Sequence, residues 1–335
     1  MYQFPLILGL LDVILVFAGT DVGVQLRIDK LTALRPDFVQ PGSNFGCSIA
    51  AIGDIDGDGI DDLAIGASHF AATNGSSVLG NLGAVYIAFM ASNSSIRQHT
   101  RITLGENGAP PLGANSFFGA SVAAYGLRII AVGSPGTAVG AAYLLHLFPN
   151  GSCNSSVLIR GEFVGNFPNS SFGSTSVGGG GFNGPPIRYE SQFGSMVAGL
   201  GDFNHDGVAD LAVGASDADA GVGTVYLLFL SSNGTVLSYS KISSSSGGGP
   251  VLTPFSFFGS SLVSLGDLNG DGVDDLAIGA AYYTDRDNKF RTGAVFVCLM
   301  NADGTVSSYS RISEFSALRL SLIVSALRLL SNPVV

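Results

Sequence analysis

Residues 53–67 read GDIDGDGIDDLAIGA, residues 201–215 GDFNHDGVADLAVGA and residues 266–280 GDLNGDGVDDLAIGA. In each, side chains carrying carboxylate or amide oxygens fall at loop positions 1, 3, 5 and 9. The first loop offers Asp54, Asp56, Asp58 and Asp62; the second Asp202, Asn204, Asp206 and Asp210; the third Asp267, Asn269, Asp271 and Asp275. A hard cation takes about six to eight oxygens, and alternate residues of a tight loop can turn theirs inward. Glycine at position 6 (Gly59, Gly207, Gly272) permits the sharp bend, after which the carbonyl of position 7 (Ile60, Val208, Val273) can join the set. The pattern predicts three calcium sites. They are not EF-hands, because position 12 is apolar (Ile65, Val213, Ile278) where that loop has a bidentate glutamate. Plain Asp-Gly turns would not need four oxygen-bearing residues in register.

Outward from the loops, the chain repeats. Phe45-Gly46, Phe118-Gly119, Phe193-Gly194 and Phe258-Gly259 each open a unit, at spacings of 73, 75 and 65 residues. A strand of small residues comes first (FGCSIAAIG, FGASVAAYG, FGSMVAGLG, FGSSLVSLG), then the aspartate loop, then a second strand (DLAIGA, DLAVGA, DLAIGA). A polar loop leads to a third strand (GAVYIAFM, GAAYLLHLF, GTVYLLFL, GAVFVCLM), and short segments at 101–104, 157–160, 241–243 and 311–313 close the units. LRIDKL at 26–31 resembles an extra copy of that last strand. Four short strands per repeat, apolar on both faces, predict an all-β fold, a β-propeller of four-stranded blades. A β-sandwich or a linear solenoid is the rival. The second unit, YGLRIIAVGSPG at 125–136, lacks the aspartates and is expected to fold without an ion. The stretches 165–186 and 243–250, rich in Gly and Ser, read as flexible inter-unit loops.

With 335 residues, 46% hydrophobic and 12% charged, the chain can bury a large core. The net charge of −10 argues against nucleic-acid binding, which needs a basic footprint. Twelve of the 25 acidic residues lie in the three loops, so bound cations would offset much of that charge. Residues 6–18 form an apolar run too short to span a membrane. With Val16 and Ala18 before the cut, residues 1–18 read as a secretory signal peptide. Six Asn-x-Ser/Thr sequons, at Asn74, Asn93, Asn150, Asn154, Asn169 and Asn233, agree with secretion. Cys47 and Cys298 lie in apolar strand-like runs and are expected to be buried free thiols. Cys153 is either free or paired outside the chain. GGGFNG at 179–184 matches a dinucleotide fingerprint only in form, with no strand before it and no helix after.

The order FG, GDxxxDGxxDLxIGA and hydrophobic strand resembles the FG-GAP repeat of integrin alpha subunits and related extracellular proteins, from about Leu26 to Ser313. The resemblance implies a propeller spanning 19–314, with structural calcium in the loops between first and second strands. It also implies a ligand face at the other end, formed here by 68–82, 216–222 and 281–292 with 105–117 and 244–257. Only four units are recognisable where the family has seven, so an incomplete ring, closed by self-association, is one expectation. Residues 315–335 form an atypical tail that reads as a truncated fifth unit or a gene-model artefact; Arg319 and Arg328 spoil a transmembrane reading.

The expected function is a non-catalytic, calcium-stabilised binding module, integrin-alpha-like, secreted or on the outer face of the plasma membrane, taking an extracellular protein or glycan ligand in adhesion or recognition. The alternative is an accessory propeller of a secreted hydrolase, such as a glycosylphosphatidylinositol-specific phospholipase D-like enzyme, since these repeats accompany such enzymes.

Overall fold

Each aspartate loop ends where a strand begins. DLAIGA, DLAVGA and DLAIGA form the strands Asp62–Ala67, Asp210–Ala215 and Asp275–Ala280. The computed structural model describes residues 39–74, 77–136, 140–160, 162–163, 185–187, 191–284 and 291–313. The signal-peptide, 26–31 and tail expectations, and most of 165–186, lie outside the described residues.

Four antiparallel four-stranded sheets follow one another along the chain. Sheet one contains Phe45–Gly53, Asp62–Ala67, Ala84–Met90 and Ile96–Ile102, and sheet two Ser121–Gly126, Ile129–Ser134, Ala141–Leu147 and Cys153–Ile159. Sheet three contains Phe193–Gly201, Asp210–Ala215, Thr224–Leu230 and Val236–Ile242, and sheet four Phe258–Gly266, Asp275–Ala280, Ala294–Met300 and Val306–Ile312. In every sheet the strands lie in chain order. Turns between strands 1 and 2, and 3 and 4, therefore gather at one end, and those between 2 and 3 at the other.

The third strands of sheets one and three are buried along their whole length, because apolar residues occupy both faces. The fourth strands differ from expectation. They start earlier than the apolar closing segments, as in Ile96–Ile102, IRQHTRI, and their middles are exposed. An outermost strand has one face in water, so polar residues there disguise its first half.

The sheets stack through three apolar seams. Ile52, Ile55, Val85, Ile87 and Phe89 of unit one meet Phe118, Val122, Tyr143 and Leu145 of unit two. Ala131 and Leu144 then meet Phe193, Val197 and Tyr226, and Leu200, Phe203, Leu227 and Phe229 meet Phe258, Phe296 and Cys298. Phe118, Phe193 and Phe258, which open units two to four, are fully buried, while Phe45 of unit one is partly buried. Each of the three buried rings stands edge-on to an aromatic ring of its own third strand, at 5.6 Å from Tyr143, 5.8 Å from Tyr226 and 5.8 Å from Phe296. Burying one such side chain is worth about 1.5–3 kcal/mol, which accounts for the phenylalanine. The glycine after it is required by close approach. A Cβ on Gly119 or Gly194 would lie 2.4 or 2.0 Å from the carbonyl oxygen of Ala84 or Ala141 in the preceding sheet. Parallel bridges Gly83–Phe118, Gly140–Phe193 and Gly223–Phe258 complete each seam. The fold is thus all-β, with successive sheets packed as propeller blades pack.

Two further expectations need correction. Residues 243–250 are not a loose connector. Ser243 and Ser246 exchange backbone hydrogen bonds, and the Gly247 carbonyl accepts the Val306 N–H at 2.8 Å, tying this turn to sheet four. Cys47 is exposed, whereas Cys153 and Cys298 are buried, and all three are free thiols. Cys47 lies near the start of its strand, where the equivalent Ala120, Ser195 and Ser260 are also only partly buried, and its thiol donates to the Gly119 carbonyl of sheet two at 3.4 Å.

Candidate metal centre

The three aspartate loops share one internal wiring, built from position 1. Asp54 accepts the N–H groups of Gly57 (2.6 Å), Asp58 (3.1 Å) and Gly59 (2.8 Å). Asp267 accepts those of Gly270 (2.7 Å), Asp271 (3.1 Å) and Gly272 (2.8 Å), and Asp202 those of Asp206 (2.8 Å) and Gly207 (2.9 Å). Hydrogen bonds to the ionised form lower a carboxyl pKa. The Gly59 N–H, chief among these donors, holds Asp54 below its ordinary range, and the Gly272 N–H does so for Asp267. Position 5 accepts from position 7: Asp58 from Ile60, Asp206 from Val208 and Asp271 from Val273, each at 2.9 Å.

Position 3 separates the loops. In the second and third, the amide of Asn204 or Asn269 donates to Asp206 at 2.9 Å or Asp271 at 2.8 Å. In the first loop position 3 is Asp56, which has no proton to give. There the Arg97 guanidinium, from the fourth strand, bonds both Asp56 and Asp58. Asp54, Asp56 and Asp58 bring carboxylate oxygens within 4.8 Å of one another. Three converging carboxylates suit a hard divalent cation, and this cluster fits one.

Position 9 sits deeper. Asp62, Asp210 and Asp275 are fully buried. One oxygen of each accepts the N–H that ends the third strand, Met90 at 2.9 Å, Leu230 at 3.0 Å or Met300 at 2.9 Å. The other accepts from the loop itself, Ile55 at 3.1 Å, Asn204 at 3.4 Å or Leu268 at 2.9 Å. Each carboxylate thus pins its loop to the sheet below, with further lone pairs remaining on its oxygens. Burial pushes the Asp62 and Asp210 carboxyls above the ordinary value.

The aspartate-free sheet two braces the loops on either side. Its hairpin at Leu127–Arg128 replaces the loop with a tight turn. Arg128 Nε donates to the carbonyl of Ile55 in the first loop at 2.8 Å, and the Tyr125 hydroxyl donates to the Ala209 carbonyl beside Asp210. Burial raises the Tyr125 hydroxyl to about 12, so it remains a donor at any physiological pH.

At the opposite end, loops of neighbouring units touch. Asn81 donates to Asn115 at 3.1 Å, Phe117 N–H to the Asn81 carbonyl at 3.1 Å, and Phe257 N–H to the Gly221 carbonyl at 2.9 Å. The residue before each FG pair takes a left-handed conformation, which costs a bulky side chain energy: Asn44, Phe117, Gln192 and Phe257 have φ of 57°, 52°, 54° and 52°. Phe255 and Tyr282 are half exposed here, Tyr282 stands edge-on to Phe257 at 5.4 Å, and the Arg291 guanidinium lies 5.6 Å over the Phe255 ring.

Sequence reasoning placed positions 1, 3 and 5 together and missed Arg97, Arg128 and Tyr125. These reach the loops from distant segments, 41 residues separating Arg97 from Asp56, and carry no local signature.

A match to the FG-GAP repeat family covers residues 45–87, 193–228 and 258–298. Among similar proteins, integrin alpha-4 of Xenopus laevis is 29% identical over 246 residues, 70% of this chain and 21% of that protein. Integrin alpha-2 of Mus musculus is 36% identical over 97 residues (29% of this chain, 8% of that protein), and integrin alpha-PS3 of Drosophila melanogaster 38% over 95 (28% and 8%). The matched region spans at most about a fifth of these relatives' lengths. Sheets opened by Phe-Gly pairs, aspartate loops between first and second strands, and these matches agree: three of the four units match the FG-GAP repeat, and the chain is similar to integrin alpha subunits.

Proposed function

We propose that the chain is an integrin-alpha-like binding module that works outside the cell, in adhesion or extracellular recognition, and that its three aspartate loops hold structural calcium. The observation that carries this reading is the division between the two ends of the sheets. Acidic loops, wired internally by backbone N–H groups, occupy one end. Exposed aromatic and cationic side chains, Phe255, Tyr282 and Arg291, occupy the other. Aromatic residues and arginine are the side chains most enriched at the centres of protein interfaces, so the aromatic end supplies the contact surface for an extracellular protein or glycan.

Calcium would be held by Asp54, Asp56 and Asp58 with Asp62, and by the matching positions of the other loops. When bound it neutralises clustered carboxylates and makes the loops rigid. Asp62, Asp210 and Asp275 transmit that order to the third strands through their hydrogen bonds. Among the described residues no helix is long and apolar enough to cross a membrane.

Two measurements test the reading. Elemental analysis of protein dialysed against calcium should find three ions per chain, and finding none would sink the metal assignment. Binding to an array of extracellular glycoproteins should weaken at least about tenfold in Tyr282→Ala with an unchanged melting curve. Equal binding by that variant would remove this face from the account.

A further inference from the structure

Among the described residues, no further sheet packs over the trailing face of sheet four. At every internal seam a glycine of the second strand lies under the Phe-Gly backbone of the next unit. A Cβ on Gly66, Gly133 or Gly214 would come 2.0, 2.1 or 2.2 Å from the carbonyl oxygen of Gly119, Gly194 or Gly259. A second glycine, opening the third strand, does the same: Gly83, Gly140 and Gly223 lie as close to the carbonyl oxygens of Phe118, Phe193 and Phe258. Ser48 and Ser121 add hydroxyl donors to the Gly119 and Gly194 carbonyls, at 3.0 and 3.3 Å.

Sheet four carries every element of this socket. Gly279 and Gly293 hold the two glycine positions and Ser261 the hydroxyl position. A Cβ on Gly279 would meet only the Ser261 side chain and backbone of its own sheet, and one on Gly293 only the backbone of residues 280–281. These residues, with Ala294, Val295 and Ile312, line a cleft of about 570 Å³. The apolar face beside it is bare. Val295 is 40% exposed where its counterparts Val85 and Val225 are at 0%, and Leu268 is 39% exposed where Ile55 and Phe203 are at 0% and 2%. Val263 and Leu265 extend the patch.

The matching plug stands at the other end of the array. Gly46 has open space on the side where Gly119 and Gly194 meet a preceding sheet, and Phe45 and Ile49 of the same strand are only partly buried where Phe118, Phe193, Val122 and Val197 are buried. A Cβ on Gly199, the counterpart of Ala51, would lie 2.3 Å from the Ala124 carbonyl oxygen of the preceding sheet. We infer that the sheet-four cleft is a docking site for the first strand, Phe45–Gly53, of a second copy of this chain, joined head to tail. The Phe45-Gly46 backbone would lie over Gly293 and Gly279, repeating the three internal seams between two molecules. Socket and plug are different surfaces, so the contact is heterologous; it closes into a ring if the rotation permits and otherwise propagates. This inference stands apart from the ligand-binding reading, since it uses neither the aspartate loops nor the aromatic end.

Sedimentation velocity on the calcium-loaded full chain tests it. The native protein should associate as its concentration rises. Val295→Arg, which spoils the socket, and Ala51→Arg, which spoils the plug, should each weaken association about tenfold or more while melting as the native chain does. Mixed in equal amounts, the two variants should form a dimer, because one intact socket and one intact plug remain between them. A native chain that stays monomeric at every concentration would overturn the inference and leave the cleft to a different partner. So would association that survives either variant, or a mixture that fails to pair.

Discussion

Arg97 Nη2 lies 2.8 Å from Oδ2 of Asp58 and also bonds Asp56, so the first aspartate loop already holds a cation belonging to the protein. The second and third loops have Asn204 and Asn269 in the corresponding role, supplying a neutral amide donor. A guanidinium and a divalent ion compete for the same oxygens, whereas an amide can swing aside without leaving a charge behind. The first loop should therefore bind calcium more weakly than its extra carboxylate would suggest. Exposed ion pairs are weak, so Arg97→Ala should tighten calcium binding at this loop by roughly a few fold. Isothermal titration calorimetry would show the gain, and weaker binding by the variant would refute the competition.

The position-9 aspartates act even without a cation. Asp275→Ala orphans the buried N–H of Met300, at about 1–3 kcal/mol, and frees the part-buried N–H of Leu268, which water can reach. Measured by urea unfolding in excess chelator, the variant should be less stable than the native chain by this order. Equal stabilities would mean that Asp275 matters only as a ligand. Asp271→Ala should behave the other way, losing one calcium in elemental analysis with little change in the chelated protein.

Acid should unfold the chelated protein partly through position 1. The folded pKa of Asp267 is depressed, chiefly by the Gly272 N–H. Its contribution is present above the ordinary carboxyl pKa of 3.8 and is lost as pH falls through the lower folded value. Asp267→Asn should thus lose less stability than the native chain between pH 5 and the acid limit of folding, as followed by urea midpoints in chelator. Asp62 and Asp210 have raised values, so their sign is opposite. They favour folding below 3.8, and that gain fades as pH rises through their folded pKa.

The seam glycines predict a contrast between like substitutions. Gly133→Ala would drive a methyl to 2.1 Å from the Gly194 carbonyl, which neither backbone can avoid. Overpacking of this kind costs about 1–3 kcal/mol. Gly279→Ala meets mainly the Ser261 hydroxyl, which can rotate away, so its melting temperature should stay near the native value. Equal losses in the two would mean that the glycines are needed within sheets and not between them.

Much of this was readable in the chain. The FG pairs and the DLxIGA runs located the first three strands, because those strands are apolar on both faces and the aspartates mark where they turn. The fourth strands were half hidden, since IRQHTRI alternates toward solvent and only its end looks like a core strand. The convergence of Asp54, Asp56 and Asp58 was legible, but not the division of labour within the loops. Nothing local separates Asp58, which is exposed, from Asp62, which reaches the third strand, and only the folded arrangement shows that Met90 waits beneath it. Cys47 sits in an apolar run like that of the buried Cys298, yet it occupies a first-strand position that is never fully buried in any unit, whereas Cys298 lies in a third strand.

Beside the packed apolar side chains, each seam has a main-chain contact, glycine against the carbonyl of the next Phe-Gly pair, that does not depend on which side chains face each other. A unit bearing the two glycines at its trailing side and Phe-Gly at its leading side can follow any other such unit. Duplication of a whole unit would therefore produce a piece that already fits, and variation in its loops, such as the aspartate-free turn of unit two, leaves the joint intact.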